Sequence, residues 1–384
     1  MLKNKLELAD VFRKFSVDFK RQCNLMPSQL RAIDDISKCM TSEMGGGHYH
    51  CSKCAKDFWR YHGCRNRSCP KCHGRQIKEW LEKRQAEVLP CQHFHVIATV
   101  PHELNRLFSG NQKVMYDILM KSAADALKEL AAENKYVGGE IGILSVLHTW
   151  TSKLEYHPHV HMLATGGGLA KDGVSWHEAP YKFLVPVKKL SPLICKTFSA
   201  ILKKKHPELH EKIEQKVWRR EWCSYCKHYG DGGDAVVKYL ARYAFRAAIT
   251  NNRIMKITGN KVTFRYKDNS TGSLQGLEIS GHEFLRRFMF HILPKGFHKV
   301  RYYGLWSPAR RKQQCAAKHG LQLLRLTRQL KDTEFPKAVE VDEGTESSAS
   351  TEQEHSVKCP NCGSREVELL EERRRNWRRY EPAA

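Results

Sequence analysis

No stretch of this chain is apolar for long enough to span a bilayer, and Met1-Leu2-Lys3 does not open a charged-then-apolar signal segment. A cytoplasmic protein is the expectation. In that compartment the 14 cysteines are not expected to pair as disulfides, so their spacing reads as metal binding. Negative charge is also scarce. Asp and Glu number 41 against 65 Lys and Arg, a formal charge of +24. The imbalance says little about fold, but it favours a polyanionic partner. Nucleic acid comes first, because each phosphate neutralised releases counterions; an anionic membrane surface is the competitor. At 384 residues there is room for one large domain or two to three smaller ones with a sizeable core.

What is present begins with the cysteines. Cys51-x-x-Cys54 and Cys69-x-x-Cys72 are separated by 14 residues. Each such turn points two thiolates at one tetrahedral centre, which predicts a structural zinc on Cys51, Cys54, Cys69 and Cys72. Cys64 is a spare thiol in the loop, and His50, His62 or His73 can replace one ligand. Arg60, Arg65, Arg67, Lys71 and Arg75 lie beside the knuckles, interleaved with Phe58, Trp59 and Tyr61. That mix suits phosphate contact and base stacking, and equally a basic loop over core aromatics. Cys223-x-x-Cys226 has no second pair nearby. Cys359-Pro360-Asn361-Cys362-Gly363 is half a zinc ribbon, so any metal there needs ligands from elsewhere.

Helical apolar spacing marks 6–19, 29–40, 77–90, 113–132, 191–205, 280–292 and 309–330. Strand patterns mark 93–100, 141–150, 183–187, 221–227 and 298–303, with a pair at 254–258 and 261–267 turning at Gly259-Asn260. The last single strand holds Lys299 and Arg301, which suit a DNA backbone or a plain surface. Residues 334–357 are acidic, Ser- and Glu-rich and poor in apolar side chains, which predicts a disordered linker. The tail from Arg373 to Arg379 is a basic run that adds non-specific DNA affinity or is merely solvated.

His157-Pro158-His159-Val160-His161 follows the apolar strand pattern. Alternation turns the three imidazoles to one face and Val160 to the other. Three convergent ring nitrogens predict a divalent-metal site on His157, His159 and His161, with room for a substrate oxygen. His148, on the neighbouring strand, is a supporting partner or a substitute ligand. His93 and His95 read as ordinary strand residues. Further on, Gly233 to Arg246 reads as a helix that places Tyr239 and Tyr243 on one side, about 6 Å apart along the axis. Together these groups suit phosphoryl transfer. A metal can polarise a scissile phosphate, and a tyrosine can attack phosphorus and hold the 5′ phosphate covalently. Lys238 and Arg242 would flank the tyrosines as DNA contacts.

These motifs carry a resemblance. His159-Val160-His161 and Tyr239-Leu240-Ala241-Arg242-Tyr243 resemble the two motifs of the HUH single-strand endonucleases. The Cys64 to Cys72 run, Leu147 to Trp150, Gly166-Gly167-Gly168, Ala248 to Arg253, and Leu293 to Gly304 resemble the insertion-sequence-91 family of transposases. The resemblance spans roughly residues 8 to 310. It implies rolling-circle-type transposition through single-stranded DNA, structural Zn2+, Mg2+ or Mn2+ at the histidines, and a bacterial, nucleoid-associated protein. Three imidazoles suit manganese, zinc or iron better than magnesium. A plasmid relaxase or replication initiator shares the chemistry. A non-catalytic zinc-dependent regulator of DNA is the alternative from another class. The expected fold is α+β. Residues 1–90 form a helical, zinc-ribbon-like, DNA-binding module, and 91–310 an HUH-endonuclease domain with a central antiparallel sheet flanked by helices. Then come a basic helix at 311–333, the linker at 334–357, and a C-terminal piece at 358–384.

Overall fold

Period-two alternation builds the centre of the molecule. The computed structural model describes residues 6–72, 89–232, 239, 243, 247–268, 270–332 and 357–374. Five antiparallel strands lie in the order β11 (Val300–Gly304), β4 (Glu140–Trp150), β5 (Tyr156–Leu169), β3 (Gln92–Thr99) and β7 (Cys223–Asp231). β6 (Trp176–Glu178) pairs with the far end of β5. Val96, Ala98, Ile143, Leu147, Val160 and Met162 turn to one face and are buried there. Two helices complete that core, α3 (Gln112–Ala131) with Leu119 and Leu127, and α4 (Val187–Lys205) with Ile194 and Phe198. The other face carries the intervening residues, including His95, His148, His159 and His161.

A second core joins distant parts of the chain. Leu8, Val11, Phe12, Phe15 and Phe19 form the apolar stripe of α1 (Leu8–Gln22), and Ile33 and Ile36 that of α2 (Pro27–Lys38). They bury against α5 (Gly281–Phe290) and the sheet of β8 (Ile254–Thr258), β9 (Lys261–Lys267) and β10 (Leu274–Ser280). Phe12 meets Phe288 edge to face at 5.3 Å. A Cβ on Gly281 would lie 2.4 Å from the Phe15 ring, so the helices approach only because that residue is glycine. The predicted boundary near residue 90 is therefore not a boundary between cores.

A third sheet runs β12 (Val367–Arg373), β1 (Gly46–Cys51) and β2 (Lys56–Tyr61). The basic helix α6 (Arg311–Asp332) buries Ala317 and Leu321 against Leu89, Leu169 and Trp176. No strand forms at 183–187, where Pro186 instead starts α4. The helix read at 77–90 lies outside the described residues except for its last two positions. Lys238, Arg242, His73, Arg75, the linker up to residue 356 and the tail beyond Arg374 also lie outside them. No helix among the described residues is long and apolar enough to cross a membrane.

Candidate active site and metal centres

β4 and β5 set His148 directly opposite His159. One ring nitrogen from each of His148, His159 and His161 lies within 4.8 Å of the others. His157 is not in this group, which corrects the predicted triplet. In a strand, positions i and i+4 are about 13 Å apart, too far for His157 and His161 to share one ion. A residue opposed across the ladder closes the triangle instead.

The hydrogen bonds orient two of these rings. His159 Nδ1–H donates to the His157 carbonyl at 2.7 Å, which leaves Nε2 with the lone pair. His148 Nε2–H donates to the Tyr243 carbonyl at 2.9 Å, which leaves Nδ1. His161 Nδ1 and His95 Nε2 share one proton at 2.9 Å, and His161 Nε2 lies 3.1 Å from His159 Nε2. Burial pushes His159 down to about 4, so its imidazole is neutral and ready to bind a cation. His95 is thus part of the site, though its strand reads as plain core. The signal was there: it alternates with His93 on a strand that pairs with β5.

Tyr243 stacks on His161 with ring centroids 4.3 Å apart. Tyr239 lies 4.9 Å from Tyr243. Tyr239 is fully buried with Leu144, Val146 and Leu163, and its hydroxyl has no hydrogen-bond partner among the described residues. Burial, with Tyr243 and Tyr229 beside it, raises its phenol well above the ordinary value. The two tyrosines are therefore unequal.

The cysteines separate differently from their order in the chain. Cys69 and Cys72 gather with Cys39 and Cys64, while Cys51 and Cys54 gather with Cys359 and Cys362. The predicted set of Cys51, Cys54, Cys69 and Cys72 does not come together. Cys39 Sγ lies 3.6 Å from Cys69 Sγ, and Cys64 Sγ 3.7 Å from Cys72 Sγ. Hydrogen bonds from Cys39, Cys64 and Cys69 hold Cys72 well below the usual thiol range. Cys39, at the end of α2, was missed because it belongs to no CxxC turn.

Several predicted DNA contacts are engaged within the protein. Arg67 donates to the carbonyls of Leu293, Pro294 and Phe297, each at 2.7 Å. Lys71 pairs with Glu7 at 2.6 Å. Arg301 pairs with Asp117 and lies over the Phe297 ring at 4.9 Å. Lys299 is half-buried in a small cavity with Arg67 and His291, and burial pushes it down to about 8. Arg65 is exposed. On β1 and β2, His48, Trp59 and Tyr61 stack at 4.8 and 5.9 Å, while Phe58 stacks on Tyr49 across the other face.

A histidine cluster beside two tyrosines on an antiparallel sheet, joined to cysteine clusters, defines a class that sequence similarity then names. Residues 142–314 match the family model described as "Putative transposase", and 11–100 match the "Transposase zinc-binding domain". The chain is 35% identical over 328 residues to "Putative transposase y4qJ" of Sinorhizobium fredii (strain NBRC 101917 / NGR234), covering 81% of this chain and 82% of that one. It is 28% identical over 291 residues to the transposase for insertion sequence element IS801 of Pseudomonas savastanoi pv. phaseolicola, covering 72% and 70%. No solved structure matches. The protein is a transposase. More narrowly, it belongs to the insertion-sequence-91 (IS91) family and carries that family's N-terminal zinc-binding domain.

Proposed function

We propose that this transposase nicks single-stranded DNA at the ends of its element through a tyrosine–DNA intermediate and transfers the strand in rolling-circle fashion. The observation that carries the reading is the triangle of His148, His159 and His161 with Tyr243 stacked against it. These residues fit a divalent cation, Mn2+ or Mg2+, because the ring orientations of His148 and His159 leave lone pairs for it and burial keeps His159 neutral. Such a cation supplies Lewis-acid polarisation of the phosphate and offsets charge on the departing oxygen.

Tyr243 is the first nucleophile in this reading. Its Oη forms a bond to phosphorus as the bond from phosphorus to the 3′ oxygen breaks. The phenolic proton is lost and the 3′ oxygen gains one, so the step is proton-neutral. The phosphotyrosine bond conserves the energy of the phosphodiester, and rejoining needs no nucleotide. Tyr239 serves a second transfer, after the burial around it is relieved. His95 holds His161 through their shared proton and is a positioning residue. Cys39, Cys64, Cys69 and Cys72 hold a structural zinc, with sulfur spacings near those of a tetrahedral thiolate cage. Arg65 is an exposed cation of that module and a DNA contact in this reading, and a cytoplasmic, nucleoid-associated location agrees with such a substrate.

The test is a cleavage assay on a single-stranded oligonucleotide from the element's end, with Mn2+, read as protein covalently joined to DNA. Tyr243→Phe should lose the adduct, and Tyr239→Phe should keep the first nick but fail to complete transfer. An adduct that survives when both tyrosines are changed to Phe would mean another nucleophile and overturn the tyrosine assignment, and DNA binding without any adduct in the wild type would favour the non-catalytic regulator.

A further inference from the structure

The Cys51 knuckle finds its partner at the far end of the chain. Cys51 Sγ lies 3.6 Å from Cys362 Sγ, and Cys54 Sγ lies 3.7 Å from Cys359 Sγ. All four sulfurs lie within 4.8 Å of one another. Thiolates around zinc at about 2.3 Å form a tetrahedron with edges of about 3.8 Å. A disulfide needs about 2.05 Å. The spacing is that of a metal cage.

The backbone agrees independently. Each pair sits in the same kind of turn. Ala55 N–H donates to the Cys51 carbonyl at 2.8 Å, and Gly363 N–H donates to the Cys359 carbonyl at 2.9 Å. Ala55 and Gly363 both have positive φ, 50° and 74°. For Ala55 that conformation is unfavourable and persists only where its surroundings impose it. The two turns are also tied together. β12 pairs antiparallel with β1 from Gly46 opposite Arg373 to Cys51 opposite Val367. Ser52 N–H donates to the Glu366 carbonyl at 3.0 Å, and Lys56 Nζ reaches Asn361 Oδ1 at 3.3 Å.

We propose that Cys51, Cys54, Cys359 and Cys362 form a second structural zinc site that clasps the segment 357–374 onto the N-terminal knuckle. Neither pair can fill a tetrahedral site alone. The matched zinc-binding domain ends at residue 100 and so contains only half of the ligands. Cys54 and Cys359 are 305 positions apart. Closing so long a loop costs only logarithmically more than closing a short one, and thiolate–zinc binding is strong enough to offset it. The clasp also sets Arg373 over Trp59 at 4.7 Å, next to the His48–Trp59–Tyr61 stack. The proposal is independent of the nicking chemistry.

The test is the zinc content of the full chain. Cys359→Ser/Cys362→Ser and Cys51→Ser/Cys54→Ser should each lose one equivalent per chain relative to wild type. The fourfold variant should lose no more than either pair. No loss in the Cys359/Cys362 variant would overturn the proposal, and is what a site on Cys51, Cys54, Cys69 and Cys72 predicts. A two-equivalent loss in the fourfold variant would overturn it as well. Should the variants fail to fold, the cadmium-substituted wild type decides: two all-thiolate cadmium-113 resonances are expected, and a single one counts against the site. Denatured, chelated wild type should titrate all 14 cysteines as thiols; four fewer would mean two disulfides in place of the metal.

Discussion

His148 and His159 face each other across β4 and β5, and that one register decides which imidazoles come together to hold the cation proposed above. Two tests separate them from the neighbouring ring. His148→Ala should weaken Mn2+ binding by about tenfold or more, since it removes both a lone pair and the hydrogen bond to the Tyr243 carbonyl. His157→Ala should change it by less than about threefold, because His157 contributes to His159 through its backbone carbonyl, which alanine retains. Calorimetric titration of each variant with Mn2+ checks both. An equal loss in the two would return the third ligand to β5.

At the scale of elements, Arg67 joins the cysteine module to the segment between α5 and β11. One guanidinium serves three carbonyls there, and burial lowers its pKa. Arg67→Ala leaves those acceptors without their donor, so it should cost about 3 kcal/mol or more in urea unfolding. Arg67→Lys should recover little, because an ammonium cannot reproduce the fork. A change below about 1 kcal/mol with weakened DNA binding would restore the phosphate-contact role its sequence context suggests. What could be read from the chain follows the range of the information. β8 and β9 form where expected because alternation and a turn at Gly259-Asn260 are local signals. α3 and α4 are legible from their apolar stripes. β12 is not, since its partner β1 is more than 300 positions away and its own side chains are mostly exposed. The histidine strand was legible, but the third member of its cluster, His148, and the support from His95 depend on registers that no local pattern carries. The cysteine turns were legible too, and their pairing was not, because each turn supplies only half a site.

Two large cores dominate the described residues, and His291 stands where they meet. It follows α5 of the second core. Thr149 of β4 donates its hydroxyl to Nδ1 at 3.1 Å, and Nε2–H donates to the Leu154 carbonyl at 3.2 Å. Both nitrogens are satisfied only in the neutral ring, and burial pushes its pKa down to about 4. The unfolded chain would protonate it near 6.5. Between those values the unfolded state takes up a proton that the folded state refuses, so stability falls as pH drops from about 6.5 to 4. The full difference is about 3 kcal/mol. His93, buried against Trp306 and also held near 4, adds in the same direction. His291→Gln retains hydrogen-bonding capacity without titrating. It should lower stability somewhat at pH 7.5, yet make the fall between pH 6.5 and 4 shallower by about one proton. Urea midpoints measured across that range give the slope for each protein. Loss of metal in acid affects both alike, so their difference isolates the joint, and parallel slopes would show that it does not govern acid stability.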